Sequence, residues 1–242
     1  MDEYTPSTYG DRIAAVYDTL HPAEAESAAE TLADLARGGP ALELGIGTGQ
    51  VALPLVARGV EVHGLDASEA MVARLREKPG GAGISVTMGD FADVAVDGRY
   101  ALVFIAFNTF FNLLTQDDQV RCFANVASHL ANDGVFVIEA FVPDLTRYDG
   151  GQRVTVLGVG TDSVRLDAAR LDAAEQRVEA THVVLTDGDV RLYPVHLRYA
   201  WPAELDLMAR LAGLRLHHRW GDWDRRPFDA ASTKHVSVYA SM

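Results

Sequence analysis

The sequence predicts an α/β fold: a doubly wound sheet of seven strands, a helical segment ahead of it, and an antiparallel β-sheet inserted before the last helix. Three observations predict it. Between residues 41 and 141, apolar runs of strand length alternate with helical patterns, as a parallel sheet with crossover helices requires. The first run, Ala41-Leu42-Glu43-Leu44, closes on Gly45-Ile46-Gly47-Thr48-Gly49, a sharp turn from strand to helix. From Pro143 onward, strand-like patterns follow one another with no helix between them, which an antiparallel sheet accommodates.

Residues 1–39 read as a helical lid. Helical patterns cover Asp11 to Leu20 and Pro22 to Ala36, with Pro22 in a first turn and Gly38-Gly39-Pro40 ending the second. Residues 40–142 carry the core. After the glycine turn, Gln50 to Arg58 is helical with a bend expected at Pro54, and Val60 to Leu65 is a strand ending at Asp66. The helix Ser68 to Glu77 leads through Pro79-Gly80-Gly81 to a strand from Ile84 to Met88, which runs into Gly89-Asp90-Phe91. Tyr100 to Phe107 is apolar on both faces, as the middle of a parallel sheet demands, and opens into Asn108-Thr109-Phe110-Phe111-Asn112. Thr115 and Asp118 pair as a cap for a helix to about Ala131, and Asn132-Asp133-Gly134 turns the chain into Val135 to Phe141. The insertion, residues 143–201, holds strands over Gln152 to Val159, Ser163 to Leu171, Gln176 to Thr186 and Val190 to Ala200. Residues 202–242 supply a helix from Pro202 to about Ala212 and a closing hairpin of Leu214 to Trp220 with His235 to Ala240.

Glycine accepts positive φ and lets a ligand lie against the backbone, so Gly45, Gly47 and Gly49 suggest a loop that holds a small molecule. A dinucleotide turn wants its third glycine one position later, where this chain has Gln50; that disfavours a nicotinamide oxidoreductase. Glu43, two residues before the first glycine, is a poor neighbour for phosphate and a good one for a cation. Asp66 lies 23 residues beyond Glu43, where a doubly wound fold places the acid that takes two ribose hydroxyls.

On these residues the chain resembles the class I S-adenosylmethionine (SAM)-dependent methyltransferases. The resemblance implies their Rossmann-like sheet and SAM as cofactor. It further implies that Gly45, Gly47 and Gly49 seat the methionine part, that Glu43 sits near its ammonium, and that Asp66 holds the ribose with Ala67 and Met71 against adenine. Asp90 and Phe91 would read the adenine edge, and Ala106 and Phe107 would border the sulfonium. Tyr9 and Tyr17 resemble lid tyrosines that close over cofactor and acceptor, while Asn108 and Phe111, where the family keeps its motif IV, would touch the acceptor. The insertion leading to Arg198-Tyr199-Ala200-Trp201 resembles, more narrowly, the amino-sugar N-methyltransferases of antibiotic biosynthesis.

The implied reaction is methyl transfer to a nitrogen or oxygen of a small molecule in secondary metabolism. An oxygen acceptor needs a base, whereas a neutral amine attacks first and loses its proton afterwards. The candidate proton acceptors are His196, His235, Tyr9 and Tyr17. His196 leads because the last inserted strand is expected to face the cleft, and Arg198 joins it on the same side as an acceptor contact. His21, His63, His129, His182, His217 and His218 show no spacing of a metal site, so no metal is expected. A regulatory module that binds SAM or a nucleotide without turnover shares the same binding positions; turnover is what separates the two.

A formal charge of −13, from 21 basic and 34 acidic residues with no basic stripe, repels nucleic acids. The apolar run from Ala101 to Leu114, interrupted by Asn108 and Asn112, is too short and too polar to span a bilayer. The first residues lack the pattern of a signal peptide, and a lone Cys122 suits a reducing compartment, so the cytoplasm is the expected location. Cofactor binding leaves the insertion unused, which makes an acceptor site or a homodimer contact its expected role.

Overall fold

The computed structural model describes residues 4–21 and 25–242. At its centre β1 (Ala41–Leu44) lies parallel between β2 (Val62–Asp66) and β4 (Tyr100–Ile105), with β3 (Ser85–Met88) outside β2. β5 (Leu130–Phe141) continues parallel beyond β4, and β11 (Lys234–Ser241) and β10 (Leu214–Trp220) close that side antiparallel. The seven-stranded order is β3-β2-β1-β4-β5-β11-β10, so the winding reverses between β1 and β4. Ligands of such sheets bind outside the carboxyl ends of the strands at that reversal.

β1 is buried along its whole length because helices cover both faces of the sheet. On one face α6 (Gln116–His129) and α7 (Pro202–Leu211) bring Cys122, Phe123, Val126, Leu205 and Met208 against Leu42, Leu44, Val103, Ile105 and Phe136. On the other, α3 (Ala25–Ala36), α4 (Ala52–Ala57) and α5 (Glu69–Glu77) bring Leu32, Leu55 and Leu75 against Leu102, Phe104 and Val137. Each of these large side chains contributes about 1.5–3 kcal/mol by leaving water. The cap seen in the sequence is present, as Thr115 Oγ1 accepts from Asp118 N, and Ser68 caps α5 by accepting from Met71 N. Among the described residues, no helix is long and apolar enough to cross a membrane.

The insertion is a separate antiparallel sheet of β6 (Gln152–Val159), β7 (Ser163–Asp172), β8 (Arg177–Thr186) and β9 (Asp189–Arg198) in sequential order. One face looks toward the carboxyl ends of the large sheet; the other looks away.

Three expectations change. The helix read over Asp11 to Leu20 is two helices, α1 (Thr8–Ile13) and α2 (Tyr17–Leu20), because Val16 leaves the helical region at φ −125°, ψ 0°. That break lets Tyr9 and Tyr17 meet edge to face with ring centroids 6.5 Å apart. Pro54 causes no expected loss of a hydrogen bond, because α4 starts only at Ala52 and puts the proline in its first turn. The last inserted strand ends at Arg198 and not at Ala200, with Tyr199 N adding one more bond to Gln176 O beyond its end. The helix start read at Pro22 lies outside the described residues.

Candidate functional site

Two cavities adjoin at the carboxyl ends of β1, β2 and β4. The smaller is built on the glycine turn. Gly45 N and Ile46 N both donate to Leu65 O, at 2.7 and 3.1 Å, which locks the turn onto the end of β2. Gly47 N then donates to Asp66 Oδ2 at 2.7 Å, and Ser68 N to Asp66 Oδ1 at 2.8 Å. Gly45 has φ +76°, and a Cβ there would stand 2.5 Å from Thr109 Cγ2, so both its conformation and its space exclude a side chain.

Glu43, Gly45, Gly47, Asp66, Ala67, Met71, Phe91, Ala106 and Phe107 line this cavity, joined by Tyr9 and Tyr17 from the lid. Two predicted cofactor residues do not. Gly49 turns the chain at φ +75° with Leu75 packed against it, and Asp90 spends Oδ1 on Ala92 N at 2.8 Å. Among the described residues the lining has two carboxylates and no Lys, Arg or His. Glu43 is buried, and Oε2 has no hydrogen-bond partner among the described residues. Burial, then the charge of Asp66, push its carboxyl well above the usual range, against a hydrogen bond from Ala52 N–H. A wall with two acids, one of whose oxygens is unpartnered among the described residues, and with no base to meet an anion fits a cationic cofactor and not a pyrophosphate.

The lid is tied to the turn by a compact network. Asp18 Oδ1 accepts from Thr48 Oγ1 at 2.6 Å and from Gln50 Nε2 at 2.8 Å, while Lys78 Nζ pairs with Asp18 Oδ2 at 2.6 Å. Burial, then Asp18, Glu43 and Asp66, push the Tyr17 hydroxyl up to about 12. Burial also drives the Tyr9 hydroxyl far above its usual range. Both shifts favour the protonated phenol and weigh against Tyr9 and Tyr17 as proton acceptors.

The larger cavity, about 1030 Å³, lies between the lid, β5 and the inner face of the insertion. Tyr9, Tyr17, Gln50, Phe107, Thr109 and Asn112 line both cavities and mark their junction. The backbone is unusual there: Phe107 and Asn108 are consecutive non-glycine residues at φ +54° and +68°. Glu139 holds them. Its Oε2 accepts from Phe107 N at 2.9 Å and its carbonyl from Asn108 N at 3.2 Å, while Asn108 Oδ1 accepts from Phe141 N at 2.7 Å.

Asn108 lines the larger cavity as expected of an acceptor contact, but three other predicted contacts are corrected. Alternation along β9 points Val195 and Leu197 into the cavity and sends His196 to the opposite side, where its ring stacks on Tyr4 at 4.0 Å. Arg198 is buried in a network of its own, donating to Gln119 Oε1 at 2.6 Å, Gln176 Oε1 at 3.1 Å and Glu204 Oε1 at 2.9 Å. Phe111 is wholly buried in the aromatic core beside Phe110 and Phe141. His235 is likewise buried, with Nδ1 2.8 Å from Ser237 Oγ.

The polar groups that do reach the larger cavity include His21, Arg153, Asp167 and His182, none of which sequence spacing singled out. Tyr9 Oη stands 3.0 Å from His21 Nε2. The signal for Asp167 and His182 was a hairpin register: they face each other across β7 and β8, equally far from the turn between Asp172 and Arg177.

Against known proteins, a family described as a methyltransferase domain matches residues 41–134. The structure of the CcbJ methyltransferase from Streptomyces caelestis is 44% identical, covers 98% of this chain and 99% of its own, and superposes with a TM-score of 0.94. The cypemycin N-terminal methyltransferase of a Streptomyces species is 28% identical over 204 residues, 83% of this chain and 82% of that protein. A dTDP-3-amino-3,6-dideoxy-α-D-glucopyranose N,N-dimethyltransferase of Streptomyces fradiae is 25% identical over 185 residues, 73% of this chain and 72% of that protein.

Proposed function

The chain belongs to the SAM-dependent methyltransferases, and from that premise we propose that it methylates an amine nitrogen of a small molecule held in the larger cavity. The observation that carries this is the junction: a cofactor cavity and an acceptor cavity share one wall of Tyr9, Tyr17, Phe107, Thr109 and Asn112. Two relatives named for methylation at an amino terminus and at an amino sugar support nitrogen over oxygen.

Bound SAM supplies an electrophilic methyl group on a positively charged sulfur. We assign Glu43 to its ammonium, Asp66 to the ribose, and Ala67, Met71 and Phe91 to adenine; Gly45 and Gly47 let the backbone approach, and Ala106 and Phe107 flank the sulfur. Asp66 keeps its remaining lone pairs for hydroxyls after accepting from Gly47 and Ser68. Tyr9 and Tyr17, half-buried phenols, exclude water at the junction and orient the acceptor. Alignment of this kind removes on the order of 7–11 kcal/mol from a bimolecular barrier. A role in secondary metabolism within the cytoplasm follows the resemblance to amino-sugar N-methyltransferases.

The outer face of the insertion we assign to a second copy of the chain. In register across the sheet stand Val154, Ala168, Thr181 and Pro194, then Val156, Leu166, Val183 and Leu192, then Val159, Val164, Leu185 and Val190, with no charge among them. Val154, Val156, Val159, Val190 and Leu192 are all more than half exposed. Four strands of this length span roughly 30 by 15 Å, on the order of 450 Å² before side-chain relief and somewhat over half of the ~800 Å² per partner of a standard interface.

Methyl-labelled SAM incubated with the protein and a panel of amines, among them a dTDP-amino sugar and a peptide with a free amino terminus, tests the function. The expected result is an amine product heavier by one methylene. Transfer only to hydroxyl compounds would overturn the choice of nitrogen.

A further inference from the structure

One bank of the larger cavity is polar in a way that cofactor binding leaves unused. Asp167 on β7 and His182 on β8 are direct cross-strand partners on its inner face. Asp167 is 6% exposed, and Arg153 Nη2 donates to its Oδ2 at 2.5 Å. His182 Nδ1 stands 3.1 Å from Asp167 Oδ1, close enough for an ion pair but not aligned as a hydrogen bond, and neither atom has a hydrogen-bond partner among the described residues. A carboxylate beside Nδ1 selects the tautomer with its proton there and leaves Nε2 with a lone pair.

The lid closes on this pair. The His21 ring lies 5.4 Å from the His182 ring and the Tyr9 ring 6.2 Å from it, and Tyr9 lines both cavities. The other ionisable groups around His182 are Tyr17 beyond Tyr9, Arg165 on β7, and Tyr193, its register partner on β9.

We propose that His182, backed by Asp167 as a positioning residue, takes the proton from the ammonium of the acceptor before methyl transfer; this rests on the amine assignment above. An aliphatic amine enters at neutral pH as an ammonium with no lone pair to attack. His182 Nε2 takes one N–H proton, and the electron pair of that bond stays on nitrogen. That pair forms the new N–C bond while the pair of the breaking C–S bond goes to sulfur. His182, with a side chain one-fifth exposed, then returns the proton to water.

The surroundings favour His182 over its neighbour. Burial, then His182 and Arg165, lower His21 to about 4, so His21 remains neutral and free to accept from the Tyr9 hydroxyl. Burial opposes the charge on Asp167, but the adjoining His182 and Arg153 outweigh it and hold the carboxyl below its usual range. The buried carboxylate of Asp167 thus stands beside His182, while His21 is engaged by the Tyr9 hydroxyl.

Histidine nitrogen NMR on the whole protein, with no acceptor present, is the first test. The neutral ring of His182 should carry its proton on Nδ1, and Asp167→Asn should move that population toward the Nε2–H tautomer. The second is methyl transfer from SAM to dTDP-3-amino-3,6-dideoxy-α-D-glucopyranose. His182→Gln should lose on the order of 10²–10⁴-fold in kcat/KM with SAM affinity and melting temperature unchanged, and added imidazole should restore part of the rate to His182→Ala. A pair that merely ties β7 to β8 would move the melting temperature and show no imidazole rescue. An Nε2–H tautomer insensitive to Asp167→Asn, or a His182→Gln enzyme with wild-type rate and pH profile, overturns the proposal. A wild-type protein that binds SAM yet methylates no amine would instead sink the amine assignment, and the NMR result decides the pair itself whether or not this sugar is accepted.

Discussion

Glu43→Gln should make the free protein more stable and the cofactor complex weaker. Glu43 is 4% exposed, Oε2 lacks a partner, and its carboxyl is held well above the ordinary range by burial and by Asp66. A carboxyl whose folded value is raised keeps its proton in the native state at a pH where the unfolded chain has lost it. The folded state is then favoured at low pH, and that advantage disappears as pH rises through the folded value. At neutral pH the wild type therefore carries a buried, half-satisfied group that a neutral amide relieves. An unsatisfied buried polar group costs about 1–3 kcal/mol, and in a chain of this size each kcal/mol moves Tm by about 2–4 °C. The opposite sign applies to SAM. Loss of a charge-assisted hydrogen bond of roughly 1.5–3 kcal/mol weakens binding on the order of 10- to 150-fold. Calorimetry of the two proteins measures both, and titration in buffers of different ionisation heat should show the wild type releasing protons on binding and Glu43→Gln releasing fewer. A variant that melts lower and binds SAM with wild-type affinity would refute the reasoning, because the carboxylate would then be a structural group with no cation to meet.

Glu139→Leu should lower kcat with SAM affinity held within about twofold, since Phe107 N–H loses its partner and the left-handed turn at φ +54° and +68° is freed to relax, whereas Glu139→Gln keeps an acceptor oxygen and most of the rate; steady-state kinetics of the two variants separates these outcomes. His235 is buried and lowered to about 3, first by burial and then by Arg219, so the unfolded chain takes a proton below its ordinary value of 6.5 that the native state refuses. Stability should fall by about 2 kcal/mol between pH 7 and pH 5 from this group, and urea titrations of His235→Gln should show a shallower slope over that window. Val156→Glu with Leu192→Glu should leave a monomer by light scattering in place of a dimer while SAM binding persists, and an already monomeric wild type would remove the second copy from the outer sheet face.

The sequence was legible where one residue type answers one local demand. Gly45, Gly47, Glu43 and Asp66 could be read because a strand end, a positive φ and an acid each leave a mark at a fixed spacing, and the inserted strands could be read because alternation and Asp-Gly turns are local too. Gly49 and Asp90 carry the same marks but use them to turn and cap the chain, a distinction that depends on where Leu75 and Ala92 lie. Faces and registers are not local. Along Tyr193-Pro194-Val195-His196-Leu197-Arg198 the sequence offers one mostly apolar face and one face with a histidine and an arginine; a polar ligand suggests the second, yet the cavity is walled by Val195 and Leu197. The reason is that the inner side of a small sheet must pack on a core as well as receive a ligand, and Arg198 can point the other way only because Gln119, Gln176 and Glu204 wait there from three other elements. Asp167 and His182 show what could have been recovered. With the turn fixed between Asp172 and Arg177, counting back along both strands brings the two into register, and a carboxylate opposite a histidine on the face of Val178 and Ala180 points into the protein, where an unpaired charge would be costly unless it had work to do.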